Sequence, residues 1–166
     1  MLTLACTGHR PQKLGNEWDG SGPVSLWVQG EMRKIIEEIR PTQVISGMAL
    51  GADQIWAELA VIMNIPFIAA IPFRGQDSRW SEKLQNKYRI LMGKAKRVVN
   101  VSGEAYYRPS FMQDRNEWMV DNCNGLVAVW DGSQKGGTFN CITYASGLQL
   151  NIHRIDPREY EEEIDL

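Results

Sequence analysis

The residues of this chain that could do chemistry cluster just after short apolar runs. Thr7-Gly8-His9-Arg10-Pro11 follows the first such run. There Gly8 lets the backbone approach a ligand, Arg10 can fork onto a phosphate or carboxylate, and His9 can exchange a proton or simply hydrogen-bond within its loop. Ser46-Gly47-Met48-Ala49-Leu50-Gly51-Ala52-Asp53 joins a second run to a helical stretch. Its two glycines permit a tight turn whose amides, together with the helix N-terminus, suit an anion. Asp53 either caps that helix or holds a ribose hydroxyl. After a third run come Phe73, Arg74, Gln76 and Trp80, aromatic and polar groups that serve either as a base platform or as core and lid.

The last cluster spans two elements. Met112-Gln113-Asp114-Arg115-Asn116 has helical character, and the apolar run after it leads into Asp131-Gly132 and then Gly136-Gly137-Thr138. A glycine pair and a threonine opening a helix put amides and a hydroxyl where a phosphate would sit. Arg115 would approach from the preceding helix. It falls on that helix's apolar stripe, so it needs an anionic partner, either a ligand or a carboxylate of the chain itself.

Loops can converge only if the elements beneath them align. Short apolar runs at Leu2 to Cys6, Gln43 to Ser46, Pro66 to Ile71, Arg97 to Val101, Leu126 to Trp130 and, more weakly, Asn151 to Ile155 alternate with longer helical periodicities. Val28, Met32, Ile35, Ile36 and Ile39 form one stripe, from a Gly22-Pro23 start to a stop before Pro41. Ala52, Ile55, Trp56, Leu59 and Met63 form the next, followed by Trp80, Leu84, Tyr88 and Leu91, then Met112, Arg115 and Met119, and finally Ile142, Ala145 and Leu148 to Gln149. This alternation predicts a Rossmann-like α/β three-layer sandwich: a mostly parallel sheet of five to six strands with helices on both faces. In such a sheet the loops after the strands meet at one edge, which brings the clusters above into one crevice.

Length and composition agree. A chain of 166 residues, 43% hydrophobic and 23% charged, fits one domain over residues 1–166 and suggests neither disorder nor a membrane protein. Net charge is −2, which supplies no general attraction to a nucleic-acid backbone. Charge is uneven, however: Arg74, Arg79, Lys83, Lys87, Arg89, Lys94, Lys96 and Arg97 face only Asp77 and Glu82, and the stretch from Asp156 to Asp165 is mainly acidic. The basic stretch either helps hold phosphates or is a solvated helix face. Cys6, Cys123 and Cys141 form no CxxC pair, and with no basic leader or long apolar run the chain is expected to be cytoplasmic. With His153 the sole other histidine, no metal site is expected, and no resident cofactor.

Taken together, the loops resemble the SLOG superfamily, which joins the DNA-processing protein DprA (Smf), the YpsA-like proteins and the LOG (lonely guy) phosphoribohydrolases. The resemblance runs nearly end to end. Thr7 to Pro11, Ser46 to Asp53, and Gly136-Gly137-Thr138 followed by Tyr144-Ala145 look most like the YpsA-like branch. Ser46 to Asp53 is also similar to the SGxAxGxD signature of DprA. Met112 to Thr138 is similar to the Met-x-x-Arg-Lys and PGGxGT regions of LOG enzymes, which implies a phosphoribosyl pocket at Arg115 and Gly136 to Thr138. Those enzymes carry a glutamate shortly after the Gly-Thr pair, where this chain has Phe139-Asn140-Cys141. Cleaving an N-glycosidic bond calls for such a carboxylate, whereas binding does not.

The expected ligand is therefore a small phosphorylated nucleotide or nucleotide derivative, sensed or sequestered through Gly8, His9, Arg10, Ser46, Gly47, Gly51, Ala52, Asp53, Arg115, Asn116, Asp131, Gly132, Gly136, Gly137 and Thr138. N-glycosidic hydrolysis and single-stranded DNA binding of the DprA kind are the alternatives, the second disfavoured by the acidic balance. Homo-oligomers are common in the superfamily, and Trp18 and Trp27, expected to be exposed, would suit a protein interface.

Overall fold

The computed structural model describes residues 1–164. The elements run β1 (Thr3–Gly8), α1 (Pro23–Ile39), β2 (Gln43–Ser46), α2 (Ala52–Ile62), β3 (Phe67–Ile71), α3 (Glu82–Gly93), β4 (Arg97–Asn100), α4 (Pro109–Asp121), β5 (Gly125–Val129), α5 (Gly137–Gly147), β6 (Asn151–Ile155) and α6 (Arg158–Ile164). The strands form one six-stranded sheet in the order β4-β3-β2-β1-β5-β6. Every pairing is parallel, so the sheet expected to be mostly parallel is wholly so.

Alternation along the strands builds two apolar layers. Leu4 and Cys6 of β1, Val44 of β2, Phe67, Ala69 and Ile71 of β3, and Val127 and Val129 of β5 face a cluster made with α1, α2 and α3. Ala5, Ile45, Ile68, Ala70, Leu126 and Ala128 face the other side, with Met119 and Val120 of α4 and Cys141, Ile142 and Ala145 of α5. The chain winds outward from β1 to β4, then α4 carries it back to β5 on the other side of β1. Right-handed crossovers taken in the reversed direction place the later helices on the opposite face. The strand order therefore reverses between β1 and β5, and a crevice opens at their carboxyl ends.

Several boundaries differ from expectation. β1 continues to Gly8 rather than ending at Cys6, because Thr7 and Gly8 pair with Ala128 and Val129 of β5, beyond the reach of the β2 ladder. β5 begins at Gly125 and ends at Val129, although the Trp130 amide still donates to Ile155 O at 2.9 Å. α5 stops at Gly147: Leu148 is exposed and Gln149 has φ 58°. The Thr7 to Pro23 connection is not bare loop. Pro11–Lys13 makes a 3-10 turn, Leu14 is buried, and Glu17 accepts from the Val24 and Ser25 amides, supplying the carboxylate cap that Gly22 cannot. Trp18 is exposed as expected, but Trp27 is not: its Nε1 donates to Glu163 at 2.8 Å and its ring lies against Tyr160, so α6 covers it.

Candidate ligand-binding site

At the reversal point the two flanking loops are bonded to each other. The His9 amide donates to Val129 O at 3.0 Å, and the Asp131 amide donates to His9 Nε2 at 3.0 Å. The same nitrogen lies 3.0 Å from Asp131 Oδ1, while Lys13 Nζ donates to Oδ2 at 3.1 Å and the Ser133 amide to Oδ1 at 2.9 Å. Burial pushes the His9 pKa below its ordinary value, against the opposing pull of Asp131. Desolvation pushes Asp131 up, but the bonds from Ser133 and Lys13 and the nearby His9 hold it well below the usual carboxylate range.

The turn after β2 is fixed from within. Ser46 is fully buried; its Oγ donates to Asp53 O at 2.6 Å and accepts the Met48 amide at 3.1 Å. Gly51 precedes α2 with φ 94°, and a Cβ there would lie 2.5 Å from His9 O, a position that only glycine can occupy. The Ala52 amide donates to that same His9 oxygen, which locks the first two loops together. Ser46, Gly47, Gly51 and Ala52 thus frame the site, whereas Ala49 and Asp53 line it. Asp53 does not cap α2 from the N-cap position; it lies one residue inside the helix and accepts the Ala49 amide at 3.3 Å. Burial raises its pKa, with Arg115 opposing.

Arg115 is 4% exposed. Its Nη1 donates to Gly47 O at 2.6 Å and reaches Ala70 O at 3.5 Å, and its Nε donates to Asn116 Oδ1 at 3.0 Å. Its Nη2 has no hydrogen-bond partner among the described residues. Opposite, Gly136 (φ 93°) turns the chain into α5, which has no side-chain cap and no acidic residue in its first turn. Its leading amides are therefore without helical partners.

Around these groups lies a cavity of about 390 Å³. Thr7, Gly8, His9, Arg10, Asp53, Arg115, Asn116, Gly136, Gly137 and Thr138 all line it. Gln12, Lys13 and Lys135, which no motif marked, and Ala49 of the Ser46–Asp53 run lie on the same wall. Asp131 and Gly132 stand behind His9 rather than on the lining: Asp131 holds His9 and Lys13, and Gly132 lies under Arg154. A second cavity, about 600 Å³, adjoins the first across Arg10, Ala49 and Met112. Phe73, Gln76 and Trp80 line it as candidates of the sequence, and so do Tyr106 and Tyr107, which sequence reasoning passed over. Their signal was a Tyr-Tyr-Arg-Pro run directly before α4. In the basic stretch, Lys83 and Lys87 are engaged with Asp19 and Glu58, while Arg89, Lys94, Lys96 and Arg97 are exposed.

A doubly wound parallel sheet with glycine-bearing loops and a helix N-terminus at its reversal point defines a Rossmann-like α/β protein. The chain belongs to the YspA SLOG family, whose model matches residues 4–159, so the SLOG resemblance and its YpsA-like branch hold. It is 33% identical to the uncharacterized SPbeta prophage-derived protein YoqJ of Bacillus subtilis, over 87% of this chain and 95% of that protein. Among solved structures it is similar to DNA processing protein A of Streptococcus pneumoniae, with a TM-score of 0.65, 14% identity, and coverage of 94% of this chain and 50% of that one. It is similar also to DNA processing protein A of Helicobacter pylori, whose structure describes a single-stranded DNA binding mode, with a TM-score of 0.64, 16% identity, and coverage of 93% and 65%. Among the described residues no helix is long and apolar enough to cross a membrane.

Proposed function

We propose that the crevice binds a phosphate-bearing nucleotide or nucleotide derivative, and that the protein serves as a sensor or sequestering protein for it. The observation that carries this reading is that the uncapped start of α5 faces the same cavity as Arg115, buried in its wall with one guanidinium nitrogen unpartnered among the described residues. A helix N-terminus attracts an anion through free amides and its dipole. Arg10, Lys13 and Lys135 add positive charge around it, and Thr138 adds a hydroxyl. Among the described residues Asp53 is the one carboxylate on the lining, and it would receive a ribose hydroxyl.

Two other readings each have one supporting observation. Asp53, its pKa raised by burial, gives N-glycosidic hydrolysis a carboxyl group that the Phe139-Asn140-Cys141 stretch lacks. The likeness to DNA processing protein A, with exposed Arg89, Lys94, Lys96 and Arg97, supports single-stranded DNA binding. Melting curves with AMP, NAD, ADP-ribose and a dT oligonucleotide, followed by chromatography of each mixture, separate the three. A raised Tm with the nucleotide recovered intact supports binding, free base in the mixture supports hydrolysis, and a shift with the oligonucleotide alone supports the DNA reading.

A further inference from the structure

We infer that the second cavity is a base-binding subsite, so that the ligand has two parts: phosphate at the start of α5 and a planar aromatic base between the β3–α3 and β4–α4 loops. This rests on the phosphate reading of the first cavity and extends it to a ligand class, nucleoside diphosphate derivatives.

Four aromatic side chains, Phe73, Trp80, Tyr106 and Tyr107, meet around this cavity. Two of them are spent on the solvent side. Tyr106 is 47% exposed and Tyr107 63% exposed, a cost in wetted ring surface that a stacked base would remove. The rings are nevertheless held in place. Tyr107 meets Phe73 edge-on at 5.9 Å, Trp80 stands at 87° to Tyr88 at 5.2 Å, and Arg108 lies over Tyr106 at 5.5 Å. The Arg74 amide donates to Glu104 O at 2.9 Å and ties the two loops together, so the walls form one unit. Pre-positioned rings bind a base without first being ordered.

Polar groups on the wall suit the same occupant. Gln76 Nε2 donates both to Gly47 O at 3.2 Å and to the Tyr88 hydroxyl at 3.1 Å, which fixes the amide's orientation and leaves its oxygen as an acceptor. Gly47 O is also the acceptor for Arg115, so one carbonyl joins the two cavities. Arg10 lines both, at the junction where the nucleoside-side phosphate of a pyrophosphate would pass.

The experiment titrates the full chain with ribose 5-phosphate, which lacks a base, and with ADP-ribose, and repeats both with Tyr107→Ala and Tyr107→Phe. Tyr107 is exposed enough for its truncation to leave the fold intact. ADP-ribose is expected to bind at least tenfold tighter than ribose 5-phosphate, and Tyr107→Ala to remove about tenfold of that advantage while Tyr107→Phe keeps it, as a lost stacking partner requires. Equal binding of the two sugars, or an equal loss for both in Tyr107→Ala, overturns the base subsite and leaves the phosphate site standing. Binding of neither overturns both. Preference for a dT oligonucleotide over ADP-ribose, lost in Tyr107→Ala, assigns the aromatic cavity to single-stranded DNA and likewise overturns the inference.

Discussion

Arg115 of α4 donates to the carbonyl of Gly47, 68 residues earlier in the chain, at 2.6 Å. A Cβ on Gly47 would lie 2.6 Å from that same Nη1 and 2.7 Å from Asp53 Oδ2. A side chain at this position must displace one or both of these charged groups. Its α-carbon edge fills the gap between a buried guanidinium and a buried carboxylate. Gly47→Ala is expected to force the two apart and cost about 1–3 kcal/mol, the range for overpacking, read as a lower denaturation midpoint with an unchanged m-value.

Removing Arg115 is a harsher change. Arg115→Ala leaves Asp53 buried without its compensating charge and takes from Gly47 O one of its two donors, so it is expected to cost about 3–5 kcal/mol of stability by chemical denaturation. A loss below about 1 kcal/mol would mean that the guanidinium is not the internal clamp its bonds describe.

The His9 and Asp131 pair gives stability two separate pH windows. The His9 pKa is depressed by burial, so the unfolded chain takes up the proton first. Its contribution is present above the ordinary histidine value of about 6.5 and is lost as pH falls through the lower folded value. Asp131 is likewise depressed, and its contribution is present above about 4 and lost below that. His9→Gln should flatten the stability profile just below about pH 6.5, and Asp131→Asn the more acidic limb. A His9→Gln profile that keeps the upper slope would contradict the assignment.

Burial makes the cysteines poor nucleophiles. The Cys6 pKa is raised well above its ordinary value, Cys141 is pushed up to about 12 and Cys123 to about 11. A thiol reagent at neutral pH should leave Cys6 and Cys141 unmodified in the folded protein and label them on unfolding. Rapid labelling of either without unfolding would show that its strand or helix opens locally.

The sheet was legible in the sequence because a buried parallel strand needs an apolar run, and even the weak final strand, Asn151–Ile155, lies where its pattern put it. The crevice was legible because strand-end loops with glycine punctuate those runs. What stayed hidden was which of the clustered residues face the cavity. Arg115 and Asn116 share one helix turn, yet only the fold reveals that Nη1 is spent on Gly47. Asp131 reads as a pocket residue by its position after β5, but its bonds to Lys13 and His9 turn it away from the lining. Trp27 reads as exposed because nothing local covers it; its partners, Tyr160 and Glu163, come from the far end of the chain. Tyr106 and Tyr107 sit in a connection with no periodicity, and their role depends on Phe73 across the gap.

Phosphate binding at the start of α5 stands or falls at Gly137. A Cβ there meets nothing within 4 Å, so Gly137→Asp fits without strain and puts a negative charge where the phosphate would sit. A carboxylate at a helix N-terminus stabilises the helix by about 0.3–1 kcal/mol, so folding should be unharmed. The measurement is calorimetric titration of wild type and Gly137→Asp with ADP-ribose. Saturable binding to the wild type is expected, with a loss of at least about tenfold in the variant at an equal or higher Tm. Equal affinity for both proteins would place the phosphate away from the start of α5.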